Sequence, residues 1–305
     1  MSSITLAEAG KLSLDKLVAG VIENIVTVNP IFEYLPFSDI AGNSLRYNRE
    51  KTLGDVQVLD VGDTITAKAP ASYKQKNANL TTILGDAEVN GLVQAQRVGG
   101  DQVMYQIASK AKSVARKYQD MMVNGDSAVE GFDGLDEILA DIVTEADNPG
   151  QVIDAAGAAL SFQLLDELLN EVKSKNGQVD YLMMSGRQIV LYRALERALG
   201  GTQPQWTTSA GILMPAYAGV PIFRNDWIVA GGGSPAGGES VYGGCFDDGS
   251  NKVGMGGLTA ATNMGIHVQP VGAAETKDED IYRIKFYSGF AVYSELGIAK
   301  LDHVA

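Results

Sequence analysis

Few residues of this chain have the side chains that catalysis or metal binding usually needs. The 305 residues include two histidines, His267 and His303, and a single cysteine, Cys245. No HExxH or paired-cysteine spacing accompanies them, so the common zinc sites are not indicated. With one cysteine the chain can form no internal disulfide. We interpret both histidines as structural residues.

Two glycine-rich segments could at first sight bind a nucleotide. They are GGGSPAGG (231–238) and GMGG (254–257). Neither contains the Gly-Lys-Ser/Thr of a phosphate-binding loop, and neither opens a helix after a strand in the Rossmann manner. Within GGSPA (232–236), Ala236 occupies the position where a nucleophile elbow needs its second glycine. We therefore interpret both segments as flexible loops.

Carboxylates cluster at 133–147 and at 277–280. In the first cluster, Leu135, Leu139 and Ile142 recur at helical spacing, so its acids are interpreted as the solvated face of a helix. The second cluster is interpreted as a turn before the last strands. General acid–base catalysis needs paired carboxylates in a pocket, which the sequence does not indicate. We predict no catalytic, cofactor-binding or metal-binding residues.

The composition is strongly acidic. There are 24 Lys and Arg residues against 37 Asp and Glu residues, which gives a net charge of −13. Such a charge disfavours a surface that grips DNA, RNA or an anionic membrane, although it does not exclude a container that merely encloses nucleic acid. The N-terminal segment lacks the basic region of a signal peptide, and no apolar run reaches the ~18–20 residues of a membrane helix. We expect a protein made and used in a cytoplasm, with no membrane partner.

The elements that would position functional residues begin with an N-terminal arm. Apolar residues recur at helical spacing from 6 to 26, and Asn29-Pro30 ends this pattern. The segment 42–85 starts with the alternating sequence NSLRYNREK (43–51), and its continuation is interpreted as poor in large apolar side chains. These features predict a long two-stranded excursion that lies against something else, because an isolated hairpin is marginally stable.

The clearest helix is predicted for 101–123. An apolar stripe runs through Val114, Tyr118 and Met122, whereas most of the lysines and arginines lie off it. At 1.5 Å per residue the helix would be about 30–35 Å long. Asn124-Gly125 is the stop signal, and we expect a left-handed C-cap at Gly125.

An α/β region follows this helix. Ser161 is expected to cap one helix, the segment 179–185 to form a buried strand, and Ser185 with Gln188 to form the capping box of a helix that ends at Gly200. The sequence also contains alternating or apolar strand-like segments. These lie at 219–229, 240–246, 263–271 and 282–287.

In this order of elements the chain resembles the major capsid proteins of tailed bacteriophages, which have the Hong Kong 97-type fold. The stretches that carry the resemblance are TLAEAGKLSLDKLVAGVIENIVTVNPIFEYLPF (5–37), GNSLRYNRE (42–50), VNGDSAVEGFDGL (123–135), MPAYAGVPIFRNDWI (214–228) and FYSGFAVYSELGIAKLDHV (286–304). The resemblance implies an α+β chain made of an N-terminal arm (1–41), an extended two-stranded loop (42–85), a peripheral domain with a long spine helix (86–150), an α/β axial domain (151–275) and closing strands of the peripheral domain (276–305).

The resemblance also implies a structural role rather than an enzymatic one, without a cofactor. Copies of the chain would self-assemble as pentamers and hexamers into an icosahedral head, which would enclose double-stranded DNA without sequence-specific binding. A separate scaffolding protein, a portal and a decoration protein would be further partners, and the finished location would be the virion. The loop at 42–85 would lie over a neighbouring subunit, and the segment 231–257 would lie near the tip of the axial domain.

The resemblance places the assembly contacts mainly on the extended loop. The residues expected to form them are Arg46, Arg49, Lys51, Lys74, Lys76 and Trp206. The cations could pair with acids of a neighbouring subunit, although each exposed pair contributes only ~0–1 kcal/mol. Some relatives join subunits through a Lys–Asn bond near a Glu, but no such partners can be identified here, so no crosslink is expected. Two alternatives remain: an encapsulin-like compartment that holds an enzyme, and an α/β enzyme with a glycine-rich lid.

Overall fold

The computed structural model describes residues 31–96, 102–129, 131–144, 149–175, 177–200, 204–207, 211, 213–228, 238–262 and 265–305. The helical pattern at 6–26 and the glycines at 231–237 lie outside the described residues.

The described chain is a mixed α and β structure. Its helices are α1 (Ile31–Tyr34), α2 (Gly91–Gln96), α3 (Gln102–Asn124), α4 (Leu135–Thr144), α5 (Phe162–Lys173) and α6 (Gly186–Leu199). Its strands are β1 (Phe37–Ile40), β2 (Ser44–Thr52), β3 (Ser72–Asn79), β4 (Thr81–Asn90), β5 (Val152–Asp154), β6 (Tyr181–Met184), β7 (Gln205–Thr207), β8 (Leu213–Tyr217), β9 (Val220–Arg224), β10 (Glu239–Gly244), β11 (Met255–Ala260), β12 (His267–Ala273), β13 (Glu279–Val292) and β14 (Ile298–Val304).

A five-stranded sheet is built around the long strand β13. Strand β4 pairs with one edge of β13, whereas β12 and β11 pair with successive parts of its other edge, and β1 extends the sheet beyond β11. Arg283 of β13 and Asp86 of β4 form a two-pronged ion pair with N–O distances of 2.7 and 2.8 Å. The Arg283 guanidinium lowers the pKa of Asp86 below its ordinary value. An ionic contact therefore reinforces the backbone pairing of β4 and β13.

Helix α3 packs across one face of this sheet and confirms the helix predicted from the apolar stripe. Val114, Tyr118 and Met122 are buried in a core that includes Phe286 of β13. The Tyr118 ring centre lies 5.4 Å from that of Phe286, and its hydroxyl donates a hydrogen bond to the Gly289 carbonyl oxygen at 3.1 Å. With 23 residues, the helix is about 35 Å long.

A seven-stranded sheet has the order β5-β14-β10-β6-β9-β8-β7. Strands β6 and β9 are parallel and are connected through α6, as in a βαβ unit. Leu182 and Ile222 belong to the core that contains α5 and α6, whereas Met183 and Phe223 belong to the core that contains α3. All four residues of β6 are buried, as expected for a strand covered on both faces.

The two sheets share one continuous core. Its larger cluster joins Tyr118 and Phe286 of the first layer to Met183 and Phe223 of the second layer. Tyr34, at the end of α1, lies with its ring centre 5.3 Å from that of Phe223. The two sheets of the described chain are therefore packed together through a common core.

The end of α3 depends on close backbone contacts, so the left-handed cap expected at Gly125 is wrong. Gly125 is not among the residues with positive φ. A Cβ atom at Gly125 would lie 2.3 Å from the Met121 carbonyl oxygen and 2.4 Å from the Phe132 carbonyl oxygen. The Gly134 amide donates to the Gly125 carbonyl oxygen at 2.8 Å, so the chain returns directly against the helix end. This return buries Phe132 completely.

The segment GMGG is not a flexible loop, because Met255 begins strand β11. A Cβ atom at Gly257 would lie 2.4 Å from the Phe37 ring, and one at Gly243 in β10 would lie 3.1 Å from the Leu182 side chain. Glycine at these positions allows strands and side chains to approach closely. The described part of the glycine-rich segment, from 238 to 257, therefore includes β10 and the start of β11, one strand in each of the two sheets.

The predicted serine and glycine caps are confirmed. The one difference concerns the Gln188 side chain of the expected capping box, which binds β14. The Ser161 side chain accepts from the Leu164 amide and begins α5, and the Ser185 side chain accepts from the Gln188 amide and begins α6. Gly200 ends α6 with a φ of 69°. The Gln188 side chain donates to the Val304 carbonyl oxygen at 3.3 Å and thus links α6 to β14. The Ser185 hydroxyl also donates to the buried Glu239 carboxylate.

The sheets divide the chain differently from the linear order of domains expected from the sequence. Strand β14 lies between β5 and β10 in the seven-stranded sheet, so 276–305 is shared between both sheets. Strands β11 and β12, which fall within 151–275, lie in the five-stranded sheet. Residues 81–85 belong to β4 and not to the extended loop. Long-range strand pairing produces these differences, and local periodicity does not specify it.

Candidate assembly surfaces

Strands β2 and β3 form a separate hairpin. In the described part of the chain they pair with each other and with no other strand. Their register places Leu45 opposite Ala78, Tyr47 opposite Lys76 and Arg49 opposite Lys74 on one face. The side chains of that face are more buried than those of the alternating residues, so the hairpin has an inner and an outer face.

The inner face of the hairpin root packs on the five-stranded sheet. Its apolar cluster contains Ile40, Leu45, Tyr47, Ala78, Leu80, Leu258, Ala291 and Tyr293. The Tyr47 ring centre lies 5.5 Å from that of Tyr293, and the Tyr47 hydroxyl donates to the Val292 carbonyl oxygen at 2.9 Å. Burial raises the pKa of Tyr47 although the Arg49 guanidinium opposes this shift. The hairpin is therefore fixed at its root by apolar and polar contacts.

Arg49 makes close contacts within its own chain, and its expected contact with a neighbouring subunit stays a prediction. Its Nη1 lies 2.6 Å from the Glu295 carboxylate, and the two side chains are only 8% and 11% exposed. Its Nε donates to the Tyr293 carbonyl oxygen at 3.0 Å, and its Nη2 donates to that of Val292. The guanidinium thus binds the end of β13 and the turn that follows it, and locks the hairpin root to both.

The other expected cations lie along the same hairpin in different environments. Arg46 is exposed on the outer face. The Lys76 Nζ lies 3.5 Å from the Asp141 carboxylate of α4. Lys51 and Lys74 line a cleft of about 400 Å³ between the hairpin and the turn after β13. These four cations therefore occupy three different environments along the hairpin.

The loop between β2 and β3 is held by its own hydrogen bonds. The Asp55 amide donates to the Ala69 carbonyl oxygen at 3.0 Å, which continues the hairpin beyond its strands. The Gln57 side-chain oxygen accepts from the Thr66 and Ala67 amides at 2.8 and 2.6 Å. Gln57 therefore joins the two arms of the loop, where strand pairing has ended.

This loop exposes a set of aliphatic side chains. The set consists of Leu53, Val56, Val58, Leu59, Val61 and Ile65. Val56 is 94% exposed and Val61 is fully exposed, so neither contributes to a core in the described chain. The interpretation of the segment as poor in large apolar side chains is wrong. The alternation around Gln57 could have revealed these residues, because apolar side chains on both sides of a polar residue form one face of an extended segment.

Trp206 lies on β7, at the edge of the seven-stranded sheet. Its partner across the pair is Met214 of β8, and its side chain is 41% exposed. Leu213, one position away on β8, is also exposed. Trp227, in contrast, is partly covered, with the Arg116 guanidinium 5.3 Å from its ring centre. Trp206 therefore stays a proposed contact at an open sheet edge.

The residues that could carry chemistry are separated in the structure. His267 is exposed on β12, whereas the His303 Nδ1 lies 2.6 Å from the Asp154 carboxylate. Cys245 is buried, and burial raises the pKa of its thiol to about 11. Among the described residues no group of three or more His, Cys, Asp or Glu side chains could hold a metal ion.

The acidic helix α4 is only partly a solvated face. Glu137 and Asp141 are exposed, in agreement with the interpretation of their cluster. Asp136, however, lies 2.8 Å from the Lys300 Nζ and accepts a hydrogen bond from the Tyr242 hydroxyl at 2.5 Å. Asp136 therefore connects α4 to the seven-stranded sheet.

Among the described helices, none is long and apolar enough to cross a membrane.

Comparison with solved structures relates this whole architecture to shell-forming proteins. The chain is similar to the SrpI encapsulin of Synechococcus elongatus PCC 7942, with a TM-score of 0.72, 17% identity and coverage of 99% of this chain and 96% of that chain. It is similar to the capsid of an empty GTA particle, with a TM-score of 0.68, 12% identity and complete coverage of both chains. A chain of Mycobacterium phage Bobi gives a TM-score of 0.63 at 12% identity, with 98% of each chain covered.

No protein-family profile and no curated protein sequence matches the chain. The structural similarities nevertheless extend over its full length. The resemblance to the Hong Kong 97-type fold is therefore confirmed at the level of the fold.

Proposed function

We propose that the chain is the subunit of a closed protein shell and, more specifically, the major capsid protein of a tailed-phage head. The observation that carries this proposal is the structural match to shell proteins over 96–100% of both chains in the encapsulin and GTA comparisons. A match of this extent includes the hairpin and both sheets, and not only a common α/β motif. Pentamers and hexamers of the chain would form the head, which would be part of the virion.

The hairpin would be the main contact with neighbouring subunits. Its root is locked to its own chain by Arg49, whereas Val56, Val58 and Val61 of its loop are exposed. Burial of a valine side chain stabilises an interface by roughly 1.5–3 kcal/mol. A rigid root with an apolar loop is thus suited to reach over a second copy, and a closed shell repeats this contact in every subunit.

The proposed content of the shell is double-stranded DNA, held without sequence-specific contacts. The net charge of −13 supports this assignment, because a container with acidic walls does not trap its cargo. A scaffolding protein, a portal and a decoration protein would complete such a head.

An encapsulin-like compartment is the second candidate. The similarity to the SrpI encapsulin, with 17% identity and a TM-score of 0.72, exceeds the 12% and 0.68 of the GTA capsid. In this case the shell would enclose a protein cargo, and the acidic chain would face no nucleic acid.

Negative-stain microscopy and light scattering of the purified protein test the shell proposal. We expect uniform closed shells or capsomer rings, either from the protein alone or after a scaffolding protein is added. The ratio of absorbance at 260 and 280 nm then separates the candidates, since enclosed DNA raises it and protein cargo does not. A small monodisperse particle under all of these conditions would contradict the proposal.

Two loop variants test the role of the hairpin. Replacement of 54–70 by Gly-Ser-Gly keeps β2, β3 and the Arg49 contacts, and Val56→Ser with Val58→Ser keeps the loop length as well. Both variants should fold and fail to form shells, because these aliphatic side chains have no role in the core. Lys68→Ser, an exposed change in the same loop, should assemble normally. Normal shells from the double valine variant would refute this role.

A further inference from the structure

Helices α5 and α6 both pack on one face of the seven-stranded sheet. Leu168 of α5 and Ile189 of α6 belong to the same buried cluster, together with Leu182 of β6. The ring centres of Phe162 in α5 and Tyr192 in α6 are 6.2 Å apart. Because both helices bury one side against the same sheet, their opposite sides face outward from the same surface of the subunit.

The outward side of α6 carries a row of arginines. Arg187, Arg193 and Arg197 are exposed, and within the described residues none of them forms an ion pair. Arg193 and Arg197 are four residues apart and lie on the same side of the helix. Val190, which is 59% exposed, lies on the same side of the helix as Arg193 and Arg197. The Arg197 Nε donates to the Arg193 carbonyl oxygen at 3.1 Å, but none of the three guanidiniums has a carboxylate partner among the described residues, so they form a basic patch on a chain with a net charge of −13.

The outward side of α5 carries the opposite charge. Asp166 and Glu167 are exposed, and their hydrogen-bond donors are uncharged. Asp166 accepts from the Tyr217 hydroxyl at 2.6 Å, and Glu167 accepts from the side-chain amide of Gln163 at 3.0 Å. Glu171, on the next turn, is instead neutralised by Lys175 at 2.5 Å. The first two turns of α5 therefore present uncompensated carboxylates.

We propose that the arginine side of α6 in one copy of the chain docks against the carboxylate side of α5 in the next copy. Guanidinium and carboxylate groups form paired, charge-assisted hydrogen bonds. Because both helix sides face outward from the same surface of the subunit, two copies related by a two-fold axis would form the contact twice, with α6 of each copy against α5 of the other. The inference rests on the proposed shell function and specifies one of its interfaces.

A second copy fits the arginine side better than a nucleic acid does. Phosphate binding needs cations but gains nothing from Val190, whereas protein interfaces combine arginine with apolar side chains. The complementary charge is present on the chain itself, at Asp166 and Glu167. The acidic character of the whole chain also repels a polyanion.

Charge reversal in two separate proteins tests this docking. Protein A carries Arg193→Glu and Arg197→Glu, and protein B carries Glu167→Arg and Asn170→Arg. Each change is on an exposed side of its helix, so both proteins should fold with unchanged melting temperature. Alone, each should yield at least about tenfold fewer shells than the unchanged protein, because like charges then meet at every contact.

A mixture of A and B should recover assembly. In a pair made of one A and one B, the altered α6 meets the altered α5, and the unaltered α6 meets the unaltered α5. Recovery in the mixture shows pairing between chains, since a contact within one chain would not depend on the second protein. Lys110→Glu with Lys252→Glu shifts the net charge by the same amount as protein A, at exposed sites that form no ion pair within the described residues, and should not reduce the yield.

Two results would contradict the docking but not the shell proposal. They are normal shells from protein A alone, and a mixture of A and B that stays unassembled. Normal shells from protein A that have lost their nucleic acid would assign the arginines to cargo binding instead. If the unchanged protein forms no shells, even with a scaffolding protein, the proposed function itself fails.

Discussion

Replacement of Gly125 by alanine should destabilise the subunit severely, although it adds only one methyl group. That methyl carbon would lie 2.3 Å from the Met121 carbonyl oxygen and 2.4 Å from the Phe132 carbonyl oxygen. Both distances are about 1 Å shorter than the ~3.3 Å at which carbon and oxygen atoms normally touch. The contacting atoms belong to the backbone, so no side chain can rotate to relieve the overlap.

The magnitude follows from the two ways in which the structure could respond. If the backbone stays in place, overpacking costs about 1–3 kcal/mol. If the returning chain moves away, the fully buried Phe132 loses its packing, and complete loss of a buried phenylalanine costs ~3–5 kcal/mol. We expect a loss of about 3 kcal/mol, which corresponds to a fall of roughly 6 °C or more in Tm for a chain of this size.

Gly200→Ala is the matched control, since Gly200 has a left-handed φ of 69° and a methyl group added there would meet no atom within 4 Å. It should cost only the ~1–2 kcal/mol of the left-handed conformation. Thermal unfolding followed by circular dichroism, with all variants in the same assembly state, measures both changes. If Gly125→Ala lowers Tm no more than Gly200→Ala does, the close-contact explanation of the helix end is wrong.

Three further predictions concern other parts of the subunit. Arg49→Met should destabilise the hairpin root by about 3 kcal/mol, because it removes the buried ion pair with Glu295 and the hydrogen bonds to the Tyr293 and Val292 carbonyl oxygens, and limited proteolysis should then cut the hairpin faster. The depressed pKa of Asp86 gives stability that is present above its unfolded-state pKa and is lost as the pH falls through its lower folded-state pKa. Asp86→Asn should therefore reduce the difference in Tm between neutral and strongly acidic pH, and an unchanged difference would refute the contribution of the Arg283 contact. The Cys245 thiol, with a pKa of about 11, should react with a disulfide reagent at pH 8 only after unfolding, and rapid labelling of the native subunit would contradict its burial.

Several elements could be predicted from the sequence because their signals are local. The apolar stripe of α3 specifies a buried side at helical spacing, and Ser161 and Ser185 offer side-chain acceptors at helix starts. The alternation in 282–287 likewise predicts part of β13. In each case the residues that determine the element lie within a few turns or one strand, so no distant partner has to be known.

The assembly surfaces could be predicted only in part. The pattern of 43–51 indicates the hairpin, but the role of Arg49 depends on Glu295, which is 246 residues away in the chain. The sequence cannot distinguish an arginine that reaches a neighbouring subunit from one that is buried in its own, because both lie on an alternating strand. The arginine and carboxylate sides of α6 and α5 acquire a meaning only because both helices lie on one face of the same sheet.

By itself the sequence determined the order of the elements, the long helix, its stop near Gly125 and the two-stranded excursion, since these follow from local periodicity and from glycine and proline positions. Only the tertiary structure shows which atoms require glycine at position 125, that the glycine-rich segment 254–257 leads into strand β11, and how 276–305 is divided between two sheets. The physical reason is that a missing side chain has the same appearance in a flexible loop and in a tight contact. Only the atoms that approach from distant parts of the chain distinguish the two.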